Sequence, residues 1–201
     1  MEVIAPPSEA SGSVAVLAGS FHPITRAHVA LAEAALEFAG SVWFVMPRAF
    51  PHKRYEDVPL EARIAIVVQA AAAHPRFGVA ITEAGLFAEI ASEFRASLAP
   101  RELAFLCGRD AAERIVGWNY AGGPAIEEQL CGYRLLVADR QGSYAPPAHL
   151  AHAVARIEVP LEYGEDSATE VRRRIRQGEP WRHLVPHPAA PLIARAYRGR
   201  R

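Results

Sequence analysis

The chain has 201 residues, 51% of them hydrophobic, with 22 basic and 22 acidic side chains and a sequence pI near 7.1. That length provides one domain with a substantial core, and the charge balance argues against a general nucleic-acid binder, which carries a basic excess. There is no apolar run long enough to span a bilayer and no basic-then-apolar leader of the secretory kind, so a cytoplasmic protein that neither crosses nor binds a membrane is expected.

Residues 1–12, rich in Pro and Ser, read as a loose leader, with 13–201 as a single domain. Val14 to Ala18 is an apolar run ending at Gly19 and predicts a buried strand; Ala27 to Phe38, rich in Ala, Leu and Glu, predicts a helix. Val42 to Met46 predicts a second strand, stopped by Pro47, and Leu60 to Ala73 a long helix. Val79 to Ile81 reads as a third strand, Leu86 to Leu98 as a helix, and Leu103 to Cys107 as a fourth strand ending at Gly108. Tyr133 to Ala138 and Ile157 to Val159 give a fifth and sixth strand, and Ser167 to Arg176 and Pro191 to Tyr197 the last helices. Continuously apolar strands separated by helices predict an α/β fold, a Rossmann-like parallel sheet with helices on both faces. In such sheets ligands sit at the carboxyl ends of the strands where the strand order reverses, which directs attention to the residues after Ala18, Met46 and Cys107.

The first strand runs into Gly19-Ser20-Phe21-His22-Pro23-Ile24-Thr25-Arg26-Ala27-His28 as a helix begins. A small-residue turn that opens a helix suits phosphate, because free backbone N–H groups and the helix dipole both favour negative charge there. Thr25 and His28, three apart, share the first turn and could both donate to one anion; the plainer alternative is a helix cap by Thr25 and a surface histidine. Lys53 stands out because the other 21 basic residues are arginines, and a compact ammonium fits where a planar fork cannot. Cys107 and Cys131, the only cysteines, have no metal-site spacing and are expected as reduced thiols, Cys107 as a small core residue.

The segment from Gly19 to His28 resembles the (H/T)xGH signature of the nucleotidyltransferase superfamily in its GSF-x-P-I-T-x-x-H form, matching at Gly19, Ser20, Phe21, Pro23, Ile24, Thr25 and His28. Two positions depart: His22 stands where an aspartate or asparagine is usual, and Ala27 replaces the motif glycine, leaving less room for a close backbone approach. Pro51-His52-Lys53 resembles the PHK segment of bacterial nicotinate-mononucleotide adenylyltransferases, with Arg63 in the helix that follows. Gly108-Arg109-Asp110 with Trp118 resembles the same family's Gly-x-Asp and the tryptophan eight residues beyond the aspartate. Ser167-Ala168-Thr169-Glu170-Val171-Arg172 is similar to its carboxyl-terminal ISSTxxR motif, and Arg176-Gln177-Gly178 with Leu184-Val185-Pro186 to its tail; taken alone, Ser167 with Glu170 is a capping box. Asp166 departs from the apolar residue usual before that motif.

The resemblance, nearest to nicotinate and nicotinamide mononucleotide adenylyltransferases, covers the chain from Val14 onward. It implies a nucleotidyltransferase domain of the HUP type that moves AMP from ATP to a pyridine mononucleotide, forming the dinucleotide and pyrophosphate in NAD biosynthesis. It implies that His28, Thr25, Lys53 and Arg172 hold the triphosphate as catalytic residues. It further implies ATP contacts at Gly19, Ser20, Phe21, Gly108, Asp110, Ser167 and Thr169, with Asp110 accepting from ribose hydroxyls and Trp118 stacking on the acceptor's ring. Magnesium is expected as Mg2+ carried by ATP and pyrophosphate, with no protein metal ligands. Expected partners are therefore ATP and a phosphorylated small molecule, not nucleic acid; a homo-oligomer is compatible with this reading. Two rivals remain at this point: transfer of AMP or CMP to another phosphorylated acceptor, and a nucleotide-binding homologue that has lost catalysis, motivated by His22, Ala27 and Asp166. The region Glu83 to Leu98 lacks the Tyr-Thr pair that shapes the pyridine pocket in bacterial relatives, so the choice of acceptor stays open. A redox role is disfavoured because no G-x-G-x-x-G follows the first strand.

Overall fold

The computed structural model describes residues 1–48, 58–120, 122–138, 144–160, 163 and 166–198. Among the described residues seven strands form one sheet: β1 (Glu2–Ala5), β2 (Ser13–Ala18), β3 (Ser41–Pro47), β4 (Phe77–Thr82), β5 (Glu102–Gly108), β6 (Arg134–Ala138) and β7 (Val154–Ile157). Their spatial order is β1-β4-β3-β2-β5-β6-β7; β1 pairs antiparallel with β4, and every other pairing is parallel. The connecting helices are α1 (Arg26–Ala35), α2 (Leu60–Ala71), α3 (Phe87–Leu98), α4 (Arg109–Gly117), α5 (Ile126–Leu130), α6 (Ala168–Gln177) and α7 (Ala190–Tyr197).

The strands are apolar along their whole length because both faces are covered. Ala15 and Leu17 of β2, with Val42, Phe44 and Met46 of β3, face one core shared with α1, α2 and α7. The intervening Val14, Val16, Trp43 and Val45 face a second core with Ile90 and Phe94 of α3 and Ala112 of α4. Side chains alternate across a strand, so a run without polar interruptions is what a two-sided core requires. After β4 the chain returns to the other side of β2, so the strand order reverses between β2 and β5. The crevice at a parallel sheet's carboxyl edge opens at such a reversal. Here that places the residues after Ala18 and after Gly108 side by side.

The N-terminal residues are not the loose leader their composition suggests. Glu2, Val3 and Ala5 pair with Ile81, Ala80 and Val79, so β1 covers the free edge of β4. Residues 8–12 are docked too: the Glu9 amide and the Ser8 hydroxyl both donate to the Pro75 carbonyl, and Arg101 N–H donates to Gly12 O at 2.6 Å. Ser11 lies so close to Gly40 that a Cβ there would meet the Ser11 hydroxyl at 1.9 Å, so only glycine fits. An exposed edge strand is a liability, and pairing it outweighs the weak strand propensity of a Pro-rich stretch.

The last strand also differs from its expected place. β7 spans Val154–Ile157, not Ile157 to Val159, and its register with β6 runs from Leu135↔Val154 to Ala138↔Ile157. In α4, Asp110 in the first turn and Arg114 in the last complement the helix dipole, a pattern compatible with its short length. None of the described helices is long and apolar enough to cross a membrane.

Candidate active site

The loop between β2 and α1 is held from three sides. The Gly19 amide donates to Val45 O at 2.9 Å, which continues the ladder to β3 one residue past β2. Arg63 of α2, 5% exposed, donates from Nη1 to Ser20 O at 2.7 Å and from Nε to Val58 O. Phe21 is buried, with its ring edge-on to Phe44 (5.6 Å) and to the imidazole of His28 (5.3 Å). Its φ of +42° lies in the left-handed region, which costs a residue with a Cβ about 1–2 kcal/mol. The packing of its ring offsets that cost, and the turn brings Gly19 and Ser20 to the sheet's carboxyl edge.

Thr25 caps α1, and the His28 ring reaches back to it. The Thr25 amide donates to His28 Nδ1 at 3.0 Å, the histidine standing where a capping box has Glu or Gln. An amide can only donate, so Nδ1 is the acceptor and the proton of the neutral imidazole sits on Nε2. His28 is thereby set as an Nε2–H donor. The Thr25 hydroxyl, fully buried, lies 2.7 Å from the same Nδ1 and 3.3 Å from Asp166 O. With Nδ1 unprotonated, the hydroxyl's one hydrogen serves those two acceptors. Thr25, expected to donate to a bound anion, here turns its hydroxyl to His28 and to the Asp166 carbonyl, orienting the ring and tying its loop to the segment before α6.

That tie is one of two. Arg172 of α6 donates from Nη1 to the carbonyl of His22 and from Nη2 to Thr169 Oγ1 at 3.3 Å. The turn opening α6 and the loop following β2 thus converge, although 141 positions separate Thr25 from Asp166 in sequence. Ser167 caps α6, its hydroxyl accepting from the Glu170 amide at 3.1 Å. Only that half of the expected capping box is formed. The Glu170 carboxylate is taken by Arg173 and Arg174, each at 2.7 Å, and these guanidinium groups pull its pKa from 4.5 to about 2. Ser167 and Thr169 are exposed at this helix start, and Gly178, at φ +72°, ends the helix.

Of the departures from the motif, His22 acquires a structural explanation. His22 is 5% exposed and packs edge-to-face against Tyr197 of α7 at 5.3 Å, so a ring here joins the loop to the C-terminal helix. Asp166 is buried, and its carbonyl is the acceptor for Thr25. Ala27 is buried as well, in the face that α1 turns to the sheet.

On the other side of the reversal, Gly108 caps α4, and Asp110 is an exposed carboxylate in its first turn. Trp118 follows the last turn and is 59% exposed, an unusual placement for so large an apolar ring. Asp110, Glu113, Arg114, Gly117 and Trp118 line an open cleft of about 660 Å³. Lys53, with Pro51 and His52, lies outside the described residues. Among the described residues there is no cluster of three or more His, Cys, Asp or Glu arranged to hold a metal ion. Cys107 is buried, and burial pushes its thiol up to about 12.

Sequence reasoning noted Arg63 in the helix after Lys53 but not its hold on Ser20, because that contact joins residues 43 apart. It also missed Arg26, which stacks on Tyr163 at 4.7 Å and donates to His183 O, fastening the start of α1 to the C-terminal segment.

Comparison with known proteins agrees with this geometry. The cytidylyltransferase-like family model matches residues 16–174. A probable nicotinate-nucleotide adenylyltransferase of Saccharopolyspora erythraea is 32% identical over 197 residues, covering 92% of this chain and 90% of the relative. Proteins of the same description from Bordetella pertussis (31% identical, 90% and 94% covered) and Thermus thermophilus (32%, 90% and 95%) are similarly related. Among solved structures, Plasmodium falciparum nicotinic acid mononucleotide adenylyltransferase complexed with NaAD shares the fold, with a TM-score of 0.71 at 15% identity over 92% of this chain and 96% of that one. The strand reversal, the convergent turns and relatives matched along nearly the whole chain lead to one conclusion: the chain belongs to the cytidylyltransferase-like nucleotidyltransferase family.

Proposed function

We propose that this protein is an adenylyltransferase that moves AMP from ATP to a pyridine mononucleotide, with nicotinate mononucleotide as the acceptor. The observation that carries the reading is the convergence of the β2–α1 loop and the α6 turn, through Thr25–Asp166 and Arg172–His22. It brings the N-terminal turns of α1 and α6, which carry His28, Ser167 and Thr169, toward each other, an arrangement that suits a polyphosphate. The relatives' shared description supplies the acceptor.

The reaction is an in-line displacement. An oxygen of the acceptor's phosphate attacks the α-phosphorus of ATP, the bond from that phosphorus to the bridging oxygen breaks, and pyrophosphate leaves with the electron pair. Catalysis then consists of alignment and of donors placed where negative charge builds up. His28 Nε2–H donates to a phosphate oxygen, with its tautomer held by the Thr25 amide. Arg172 and Lys53 add positive charge, Gly19 and Ser20 contribute backbone at the loop, and Gly108 and Asp110 meet the adenosine ribose. Magnesium enters as part of the nucleotide substrate and neutralises phosphate oxygens. Trp118 offers a flat face to the pyridine ring.

The test is incubation with ATP, magnesium and either nicotinate or nicotinamide mononucleotide. Formation of the dinucleotide with equimolar pyrophosphate is expected. Failure to form either dinucleotide, with ATP demonstrably bound, would overturn this function.

A further inference from the structure

Arg63 is a cation carried inside the fold, and its guanidinium grips two carbonyls, Ser20 O at 2.7 Å from Nη1 and Val58 O at 3.3 Å from Nε. An apolar side chain of similar volume would fill the same space without the cost of burying a charge, so what Arg63 adds is its hold on those carbonyls. The shorter bond has a consequence on the far side of the peptide it grips. In a trans peptide the N–H points opposite to the carbonyl, so with Ser20 O drawn to α2 the Phe21 N–H is turned away from α2. Among the described residues that amide has no acceptor. Turning the peptide plane over would carry Phe21 from its φ of +42° into the extended region and relieve its left-handed backbone. The bond from Arg63 is charge-assisted, roughly twice as strong as a neutral one, and it opposes that flip.

We infer that Arg63 is a positioning residue: it holds the Ser20–Phe21 peptide in the plane that presents the Phe21 N–H to the triphosphate of bound ATP. This rests on the nucleotide reading above and deepens it. Arg63 touches no substrate; it acts through the peptide it fixes. A backbone N–H held in place before the nucleotide arrives needs no reorganisation to donate to a phosphate oxygen, and residues in left-handed turns are where such donors form concave anion sites. Lysine cannot take over the task, because one ammonium is a point donor and does not reproduce the fork that spans Ser20 O and Val58 O.

The experiment compares affinity for ATP with affinity for adenosine, which lacks the phosphates, in the parent, Arg63→Lys and Arg63→Gln. Arg63→Lys should weaken ATP roughly tenfold or more, the scale of one hydrogen bond to a charged group, and leave adenosine within about twofold of the parent. Arg63→Gln should weaken ATP further, again with adenosine spared. The inference is overturned if ATP and adenosine weaken by the same factor, which is what a purely structural role would do, or if ATP affinity stays parental in the folded variants. Because a buried arginine is a demanding place to substitute, the Phe21 amide resonance is also followed by NMR in the labelled parent. It should shift on adding ATP and not on adding adenosine; an amide that ignores ATP overturns the inference whether or not the variants fold. A triphosphate-specific loss in Arg63→Lys, in a protein that forms no dinucleotide from either acceptor, would contradict the transferase reading and leave the role of Arg63 standing.

Discussion

Thr25→Val removes a hydroxyl and little else. The two side chains have nearly the same shape, and Thr25 is fully buried, so the change isolates the bonds to His28 Nδ1 at 2.7 Å and Asp166 O at 3.3 Å. His28 Nδ1 keeps the Thr25 amide at 3.0 Å and is not stranded, but the Asp166 carbonyl loses the hydroxyl that donates to it. A lost hydrogen bond is worth about 1 kcal/mol and this hydroxyl serves two acceptors, so stability should fall by about 1–2 kcal/mol. For a chain of this size that is a drop of roughly 2–8 °C in melting temperature, and the urea midpoint should move without a change in slope. Turnover should fall about tenfold rather than a hundredfold, because the imidazole keeps its tautomer through the amide while its segment loses the tie to α6. Thermal and urea melts alongside dinucleotide formation measure all three quantities. A variant with melting temperature and turnover both equal to the parent's would refute the assignment of Thr25 as the link between these turns.

Other consequences are equally direct. His28→Ala removes the Nε2–H donor and should lower turnover roughly 100-fold or more with little change in fold; near-parental activity would remove His28 from the reaction centre. Cys107, buried with its thiol held near pKa 12, should resist a thiol reagent in the native protein, while the exposed Cys131 reacts; counting thiols before and after denaturation checks this, and two fast-reacting native thiols would contradict it. The Glu170 carboxyl, drawn from 4.5 to about 2 first by Arg173 and then by Arg174, binds its proton less readily when folded than when unfolded. Its contribution to stability is thus complete above about pH 4.5 and disappears as pH falls through about 2, and solvent screening keeps it small. Glu170→Gln should flatten the acid limb of the melting-temperature profile across that window; superimposable profiles would argue that the pair does nothing for the fold.

The sheet was legible because each central strand carries apolar residues on both faces, as Val14 to Leu17 and Val42 to Met46 show. The same local signal cannot announce a strand whose reason for existing is distant. Glu2–Ala5 forms β1 because β4 has an edge for it to pair with, and β7 is set by its register against Leu135 to Ala138 of β6. The loop after β2 and the Ser167 cap could be read from spacing, since both depend on residues three or four apart. What spacing could not reveal was how Thr25 uses its hydroxyl, which depends on Asp166, or how Arg63 holds Ser20 from another helix. The departures at His22 and Asp166 look like damage to a motif in one dimension. In three, the His22 ring meets Tyr197, and Asp166 is buried with its backbone carbonyl on Thr25, a contact any residue there could make.

The central claim is that a polyphosphate lies between the loop after β2 and the turn opening α6. Amide hydrogen exchange with and without an ATP analogue that cannot be cleaved between its α- and β-phosphorus tests it most directly. Simultaneous protection of Gly19–Phe21 and Ser167–Thr169 on adding the analogue is predicted. Protection of only one of these segments, or of neither while the analogue is bound, would contradict the account.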